Sequence, residues 1–192
     1  CGLGLEDHAL LLDCRTRQVE QIPFVLDDAV LLIMNTQVKH EIGSSEYPVR
    51  QRQCLEGLAV LQQSHPDLRS LRDVSPMMLK EAAATMKPLA FDRCWHVVTE
   101  IERTVRAAEA LRGNDLTEFG KLMVGSHQSL SQKYEVSCPE LDALVEIARS
   151  VEGVYGARMT GGGFGGCAIA LVRKSSENAL RSAITDRYNG RF

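Results

Sequence analysis

The chain has no long apolar run, no CxxC pair, no HExxH, no Gly-Lys-Ser or Gly-Lys-Thr, and no basic excess. Each absence closes a class of function. No stretch reaches the ~18 to 20 consecutive apolar residues that cross a bilayer, and the opening Cys-Gly-Leu-Gly-Leu-Glu-Asp lacks the charged start of a secretory leader. The expectation is a cytoplasmic protein without a membrane partner. A formal charge of −3, from 22 Lys and Arg against 25 Asp and Glu, gives no long-range attraction for polyanions, so no nucleic-acid partner is expected. The six cysteines, at 1, 14, 54, 94, 138 and 167, have no zinc-ribbon or thioredoxin spacing. Several lie in apolar contexts that suit free, buried thiols rather than disulfides. No carboxylate cluster has metal-ligand spacing either, and no metal-ligating residue is assigned.

What remains is enough for an ordered domain. With 192 residues, 44% hydrophobic and 24% charged, the chain can bury one core, shared in part with a further lobe. Its most informative stretch is Met159-Thr160-Gly161-Gly162-Gly163-Phe164-Gly165-Gly166-Cys167, with five glycines in six positions. Such a run can hold positive φ and leaves backbone amides uncovered by any Cβ, so that a phosphate can approach the main chain. The bland alternative is a tight bend or close strand packing. Residues 167–172, Cys-Ala-Ile-Ala-Leu-Val, read as a buried strand. Gly161, Gly163 and Gly166 formally satisfy GxGxxG, and Asp186 lies twenty positions on. A dinucleotide site nevertheless requires a helix opening at the turn, and the residues that follow read as strand. The local picture is strand, glycine turn, strand.

Gly156-Ala157-Arg158-Met159-Thr160 leading into the glycine run resembles the third signature of the GHMP superfamily of sugar and metabolite kinases, in its galactokinase form. Asn35-Thr36-Gln37-Val38-Lys39-His40 with Gly43-Ser44-Ser45-Glu46-Tyr47-Pro48-Val49-Arg50 is similar to the family segment that contacts the sugar. Tyr134-Glu135-Val136-Ser137-Cys138-Pro139-Glu140-Leu141-Asp142 and Asp13-Cys14-Arg15 also fit, and the resemblance runs in order through nearly the whole chain. It implies an α+β fold of helices packed on a small, mainly antiparallel sheet. It divides the chain into residues 1–34, a strand pair continuing from an N-terminal lobe, and 35–192, the C-terminal domain with the third motif. The family's catalytic aspartate, its main ATP-phosphate loop and its galactose-binding carboxylate and histidine precede the region matched. The chain is therefore expected to be a portion cut from a longer enzyme, inactive alone, with no catalytic residue of its own.

The implied activity is transfer of the γ-phosphoryl of ATP, with Mg2+, to the anomeric hydroxyl of galactose. Galactose, ATP and the N-terminal lobe are the implied partners. Tyr47 matches the family tyrosine that packs on galactose, although by itself a tyrosine there reads as a core or staple residue. Gly161, Gly162 and Gly163 are assigned to border the phosphates. Glu41 stands where many relatives have a small or polar residue, and Trp95 where arginine is common. Lys39 is either a balance for phosphate charge or a solvated surface lysine. Arg158 contacts phosphate or pairs with a carboxylate. His127 is read as a structural histidine bonded to backbone and stays off the catalytic set. Two other readings stay open: a catalytically silent galactose and ATP sensor, and a small-molecule binding module without kinase ancestry.

Patterning supplies the remaining elements. Residues 9–14 and 29–34 read as two buried strands joined by a turn near Pro23 and Asp27-Asp28. A helix begins at Ser44 or Ser45, carries Leu55, Leu58 and Ala59 inward and ends at Pro66. A second spans Ser75-Pro76 to before Pro88. The strongest, about 90 to 112, repeats Cys94, Val97, Val98, Ile101, Val105, Ala108 and Leu111 at helical spacing and stops at Gly113. Asp115 with Glu118, and Ser137 with Glu140, look like capping boxes for two further helices. Residues 154–160 pair with 167–172, and a last helix covers about 176 to 188.

Overall fold

The computed structural model describes residues 3–38 and 46–192. Two sheets carry the strands. β1 (His8–Leu12) and β2 (Val19–Pro23) form an antiparallel hairpin in which His8 faces Pro23 and Leu12 faces Val19. Its turn is tied by Asp13, whose carbonyl accepts from Arg17 N at 2.7 Å and whose Oδ1 accepts from Arg15 N at 2.8 Å. β3 (Ala29–Asn35), β4 (Val154–Met159) and β5 (Cys167–Arg173) form the second sheet, in the order β3-β5-β4 and antiparallel throughout.

The expected strand pair is not made. Residues 9–14 do not join 29–34; β2 intervenes and takes β1, while β3 pairs along its length with β5. Val19-Glu20-Gln21-Ile22-Pro23 buries only Ile22, a pattern too short to register against the apolar runs on either side. Nor is β1 buried. Ala9 and Leu11 pack on Ile22, Ala108 and Leu111, whereas Leu10 and Leu12 project outward, as a two-residue period requires of a strand covered on one face.

The helices lie where the sequence places them, but the first of them turns only Leu58 of its expected stripe inward: Leu55 and Ala59 are exposed, and the buried face runs through Arg50, Gly57, Leu58 and Leu61. α1 (Glu46–Ser64), α2 (Pro76–Ala82) and α3 (Pro88–Arg112) pack Leu58, Leu61, Leu79, Val98 and Cys94 into one cluster. Ser75 Oγ accepts from Met78 N at 3.3 Å, capping α2. The expected cap of α1 at Ser44 or Ser45 lies outside the described residues. α4 (Leu116–Ser129) starts on Asp115, whose Oδ1 accepts from Glu118 N at 2.9 Å. The left-handed residue between α3 and α4 is Asn114, at φ 53°, while Gly113 stays at φ −82°. Asparagine tolerates that region because its short side chain bonds locally.

A π-helical turn, Leu130–Tyr134, then leads to α5 (Pro139–Arg149), and α6 (Glu177–Tyr188) closes the chain. Ser137 does not form a capping box with Glu140. Its hydroxyl donates to Asp142 at 2.5 Å instead.

The three-stranded sheet is the centre of the domain. Ala157 and Met159 of β4, Ala168, Ala170 and Val172 of β5, and Leu32 and Met34 of β3 face α5 and α6, where Leu141, Leu144, Ala148 and Leu180 are buried. Three alanines on that face let the helices approach the backbone closely. Each of those leucines contributes about 1.5 to 3 kcal/mol by leaving water. Ile169 and Leu171, on the other face of β5, meet Met123 and Phe119 of α4. Only the β3 end of that face stays open, where Ile33 is 69% exposed.

Candidate functional site

The glycine turn joins β4 to β5. Thr160 N donates to the Cys167 carbonyl at 2.9 Å as the strands part. From there the chain runs through left-handed backbone: φ is 81° at Gly161, 89° at Gly163, 60° at Phe164, 134° at Gly165 and 81° at Gly166. Glycine is required where φ is positive and space is absent, and Gly163 meets both conditions. A Cβ there would lie 2.9 Å from that of Val136 and still closer to its carbonyl oxygen. Gly162 meets neither. It lacks positive φ, and a Cβ built on it would enter open space. Nothing in the fold demands glycine at Gly162, so its bareness is available to a ligand.

The turn is anchored at two points. Phe164 N donates to the Val136 carbonyl at 2.7 Å, and the Gly166 carbonyl accepts from Thr36 N at 2.9 Å and Thr36 Oγ1 at 2.8 Å. Between these ties, Thr160, Val38 and residues 161–167 line an open groove of about 420 Å3. Gly161, Gly162 and Gly163 all lie in its wall. The lining is mostly bare glycine main chain, with the side chains of Val38, Thr160, Phe164 and Cys167, and no carboxylate or guanidinium among the described residues. Backbone amides and the Thr160 hydroxyl are therefore the donors that these residues offer an anion.

Behind the groove, two arginines that the pattern reading missed hold the segment 130–136. Arg50 Nε donates to the Tyr134 carbonyl and Nη2 to the Glu135 carbonyl, each at 2.7 Å, and Nη1 pairs with Glu46 at 3.2 Å. Its guanidinium also lies 6.0 Å from the ring centroid of Phe164, within cation–π range. Arg93 is only 1% exposed. It donates to Gln53 Oε1 at 3.0 Å, to Glu135 Oε2 at 2.5 Å, and to the Lys133 carbonyl. Glu135 itself is left-handed, at φ 54°. The clearest sequence clue was Arg50 itself, which follows Val49 within the segment resembling the sugar-contacting motif.

Tyr47 lies three residues before Arg50 on α1 and is 71% exposed. The phenol of Tyr134 lies near it: burial first, then the Cys54 thiol and the Tyr47 hydroxyl, push the Tyr134 phenol up to about 12. Tyr134 stacks on His96 with ring centroids 4.5 Å apart. Arg50 thus connects the helix carrying Tyr47 to the glycine turn, although Tyr47 is not in the groove wall itself. Lys39 and Glu41 lie outside the described residues. Trp95 stacks on Phe91 at 5.8 Å and takes the Lys80 ammonium over its ring at 5.6 Å.

Arg158 does not reach the groove. It points to the α3–α4 side of the sheet, into a cavity with Glu100, Arg103 and Ser126, and its Nε donates to the Met159 carbonyl at 3.0 Å. Burial lowers its pKa, and Glu100 partly offsets that. His127 is bonded to backbone, as the sequence suggested. Met159 N donates to its Nδ1 at 3.3 Å, and its Nε2 lies 3.3 Å from Asp142 Oδ1. Burial alone would raise the Asp142 carboxyl, but hydrogen bonds from His127, Ser137 and Ser131 outweigh that and hold it below its ordinary value.

Residues 107–190 match the family described as GHMP kinases C terminal. The galactokinase of Bos taurus is 48% identical over 188 residues, covering 98% of this chain and 47% of the relative. That of Thermotoga maritima is 38% identical over 189 residues, covering 98% and 51%. The crystal structure of Lactococcus lactis galactokinase complexed with galactose superposes with a TM-score of 0.90 at 38% identity, over 96% of this chain and 47% of that one. The chain spans about half the length of the curated relatives it matches.

Proposed function

Given that this chain belongs to the GHMP kinases through the C-terminal domain it carries, we propose that it supplies one wall of a galactokinase site. There the γ-phosphoryl of ATP passes to the anomeric hydroxyl of galactose. The sugar oxygen forms the new bond to phosphorus, the bond to the ADP oxygen breaks, and the proton leaves the hydroxyl. We assign no catalytic base within residues 1–192. This chain's part is to position, which is where most phosphoryl-transfer catalysis resides.

The observation that carries the reading is the bare main chain at Gly162, free of any demand from the fold and set in the wall of the groove. Gly161, Gly162 and Gly163 border the nucleotide phosphates. Tyr47, exposed on the first turn of α1, lays its ring against the apolar face of galactose. Among the described residues the groove wall has no carboxylate, so a Mg2+ arriving with the nucleotide would find no carboxylate ligand in this wall and would serve to neutralise phosphate charge. The opposite wall is a lobe corresponding to the half of the relatives that this chain does not match. The reaction belongs in the cytoplasm, and among the described residues no helix is long and apolar enough to cross a membrane.

A chimera tests the proposal: residues 1–192 replace the matching portion of the Lactococcus lactis enzyme, and ATP-dependent formation of galactose 1-phosphate is measured. Turnover is expected, with Tyr47→Ala raising the KM for galactose at least tenfold. A folded chimera that binds galactose and ATP without turnover would instead mark a silent sensor. One that binds neither would overturn the assignment.

A further inference from the structure

One anchor of the glycine turn, at Phe164, and the hydrogen bond at the end of β4 that precedes it lead back to one carboxylate. Asp142, on α5, accepts from Ser137 Oγ at 2.5 Å and from Ser131 Oγ at 3.1 Å, and so closes the segment 131–137 on itself. That segment contains Val136, whose carbonyl holds Phe164 in the turn at 2.7 Å. Asp142 Oδ1 also lies 3.3 Å from His127 Nε2, and Nδ1 of the same ring meets Met159 N, also at 3.3 Å. Met159 is the last residue of β4, two positions before Gly161.

The hydrogen-bond chemistry fixes the tautomer. A backbone N–H only donates, so Nδ1 facing Met159 must be the acceptor. The neutral ring then carries its proton on Nε2, aimed at the carboxylate. His127 is 7% exposed, which makes a lost or misdirected bond there costly. The Met159 amide has a reason to need this partner: β4 is the edge strand of its sheet and Thr160 N donates to β5, so by alternation Met159 N points to the open edge, where His127 is the acceptor.

We infer that His127, oriented by Asp142, is a positioning residue for the glycine turn. It fixes the direction in which the chain leaves β4, and with it the aim of the Gly161–Gly163 amides. That these amides meet a nucleotide rests on the function proposed above; the tie between His127 and the turn does not. Oriented backbone donors are effective only if held within a fraction of an ångström, because a misplaced donor must reorganise at the moment it is needed.

The test has one arm independent of any kinase activity. In the 192-residue chain, 15N spectra of the imidazole should show Nδ1 unprotonated and Nε2 protonated. His127→Ala should speed amide exchange of Met159 and Phe164 at least tenfold, while His127→Asn, whose side-chain oxygen occupies nearly the place of Nδ1, should restore protection to within threefold. In the chimera, His127→Ala should raise the KM for ATP at least tenfold and leave the KM for galactose within twofold, with His127→Asn again recovering most of the loss. The opposite tautomer, or unchanged exchange in a folded His127→Ala chain, overturns the inference. Should His127→Ala fail to fold, the tautomer and the His127→Asn exchange pattern decide it. Loss of the exchange effect sinks the positioning role; a confirmed exchange effect in a chimera that binds no ATP sinks the nucleotide reading alone.

Discussion

Gly120 on α4 and Gly156 on β4 are in backbone contact: a Cβ placed on Gly156 would lie 2.6 Å from the Cα of Gly120, and one on Gly120 would lie 2.8 Å from the Cβ of Tyr155. Helix and strand therefore run together without side chains between them. From Gly120 to His127 is seven helical residues, about 10.5 Å of rise, and from Gly156 to Met159 is three strand residues, about 10 Å. The two spans match, so the glycine contact at one end sets the His127–Met159 hydrogen bond at the other.

Substituting either glycine should wedge the two elements apart. Gly120→Ala and Gly156→Ala are each expected to cost about 1 to 3 kcal/mol by overpacking, read by chemical denaturation. Faster amide exchange at Met159 should accompany the loss. Unchanged stability in both variants would mean that the contact is not a constraint.

Gly162 and Gly163 separate fold from function. Gly163→Ala places a Cβ against Val136 at φ 89° and should destabilise the chain by about 1 to 3 kcal/mol. Gly162→Ala meets open space without positive φ and should leave stability within about 0.5 kcal/mol of the parent. Equal losses in thermal melts of the two would contradict the distinction.

Arg93 holds Gln53, Lys133 and Glu135 from a buried position. Arg93→Met fills the volume but removes every donor, and the expected cost is about 3 kcal/mol, since Gln53 Oε1, the Lys133 carbonyl and the Glu135 carboxylate all lose a charged partner at once. A melting temperature equal to the parent's would show that the three bonds carry no net stability.

His96 gives a pH dependence with a definite sign. Burial pushes its imidazole from 6.5 down to about 4, with Glu100 pulling the other way. The unfolded chain then binds more protons than the folded one between these values, so stability is full above pH 6.5 and falls on acidification toward pH 4, by roughly 3 kcal/mol. His96→Phe keeps a ring against Tyr134 without a titrating group and should show a shallower loss across that window. An identical slope would exclude His96 as its source.

Much of this was legible in the sequence. The helices over 46–64 and 88–112, the β4–turn–β5 hairpin and the last helix all follow from apolar spacing, proline and glycine. The family likeness named the turn. Pattern failed where one particular hydrogen bond or contact decides the outcome. β2 buries one side chain, so its pairing with β1 is settled by the Asp13 turn rather than by periodicity. Ser137 has the spacing of a capping residue but finds a better acceptor in Asp142. Arg50 drew notice only as the last residue of the motif segment and Arg93 carried no signal, because the carbonyls of Lys133, Tyr134 and Glu135 that they bind lie 40 or more residues away. Arg158 stands beside the turn in sequence yet points through the sheet to its other face, as alternation along β4 requires. The open space at Gly162 is visible only once the neighbours are in place.

Whether the glycine turn meets the nucleotide phosphates is decided by the affinity of the chimera for ATP and for adenosine, measured by calorimetry with and without Gly162→Ala. ATP binding should weaken at least tenfold while adenosine binding stays within twofold, because the added methyl occupies the space of the phosphates and nothing else. Unchanged ATP affinity in a folded Gly162→Ala chimera would contradict that contact.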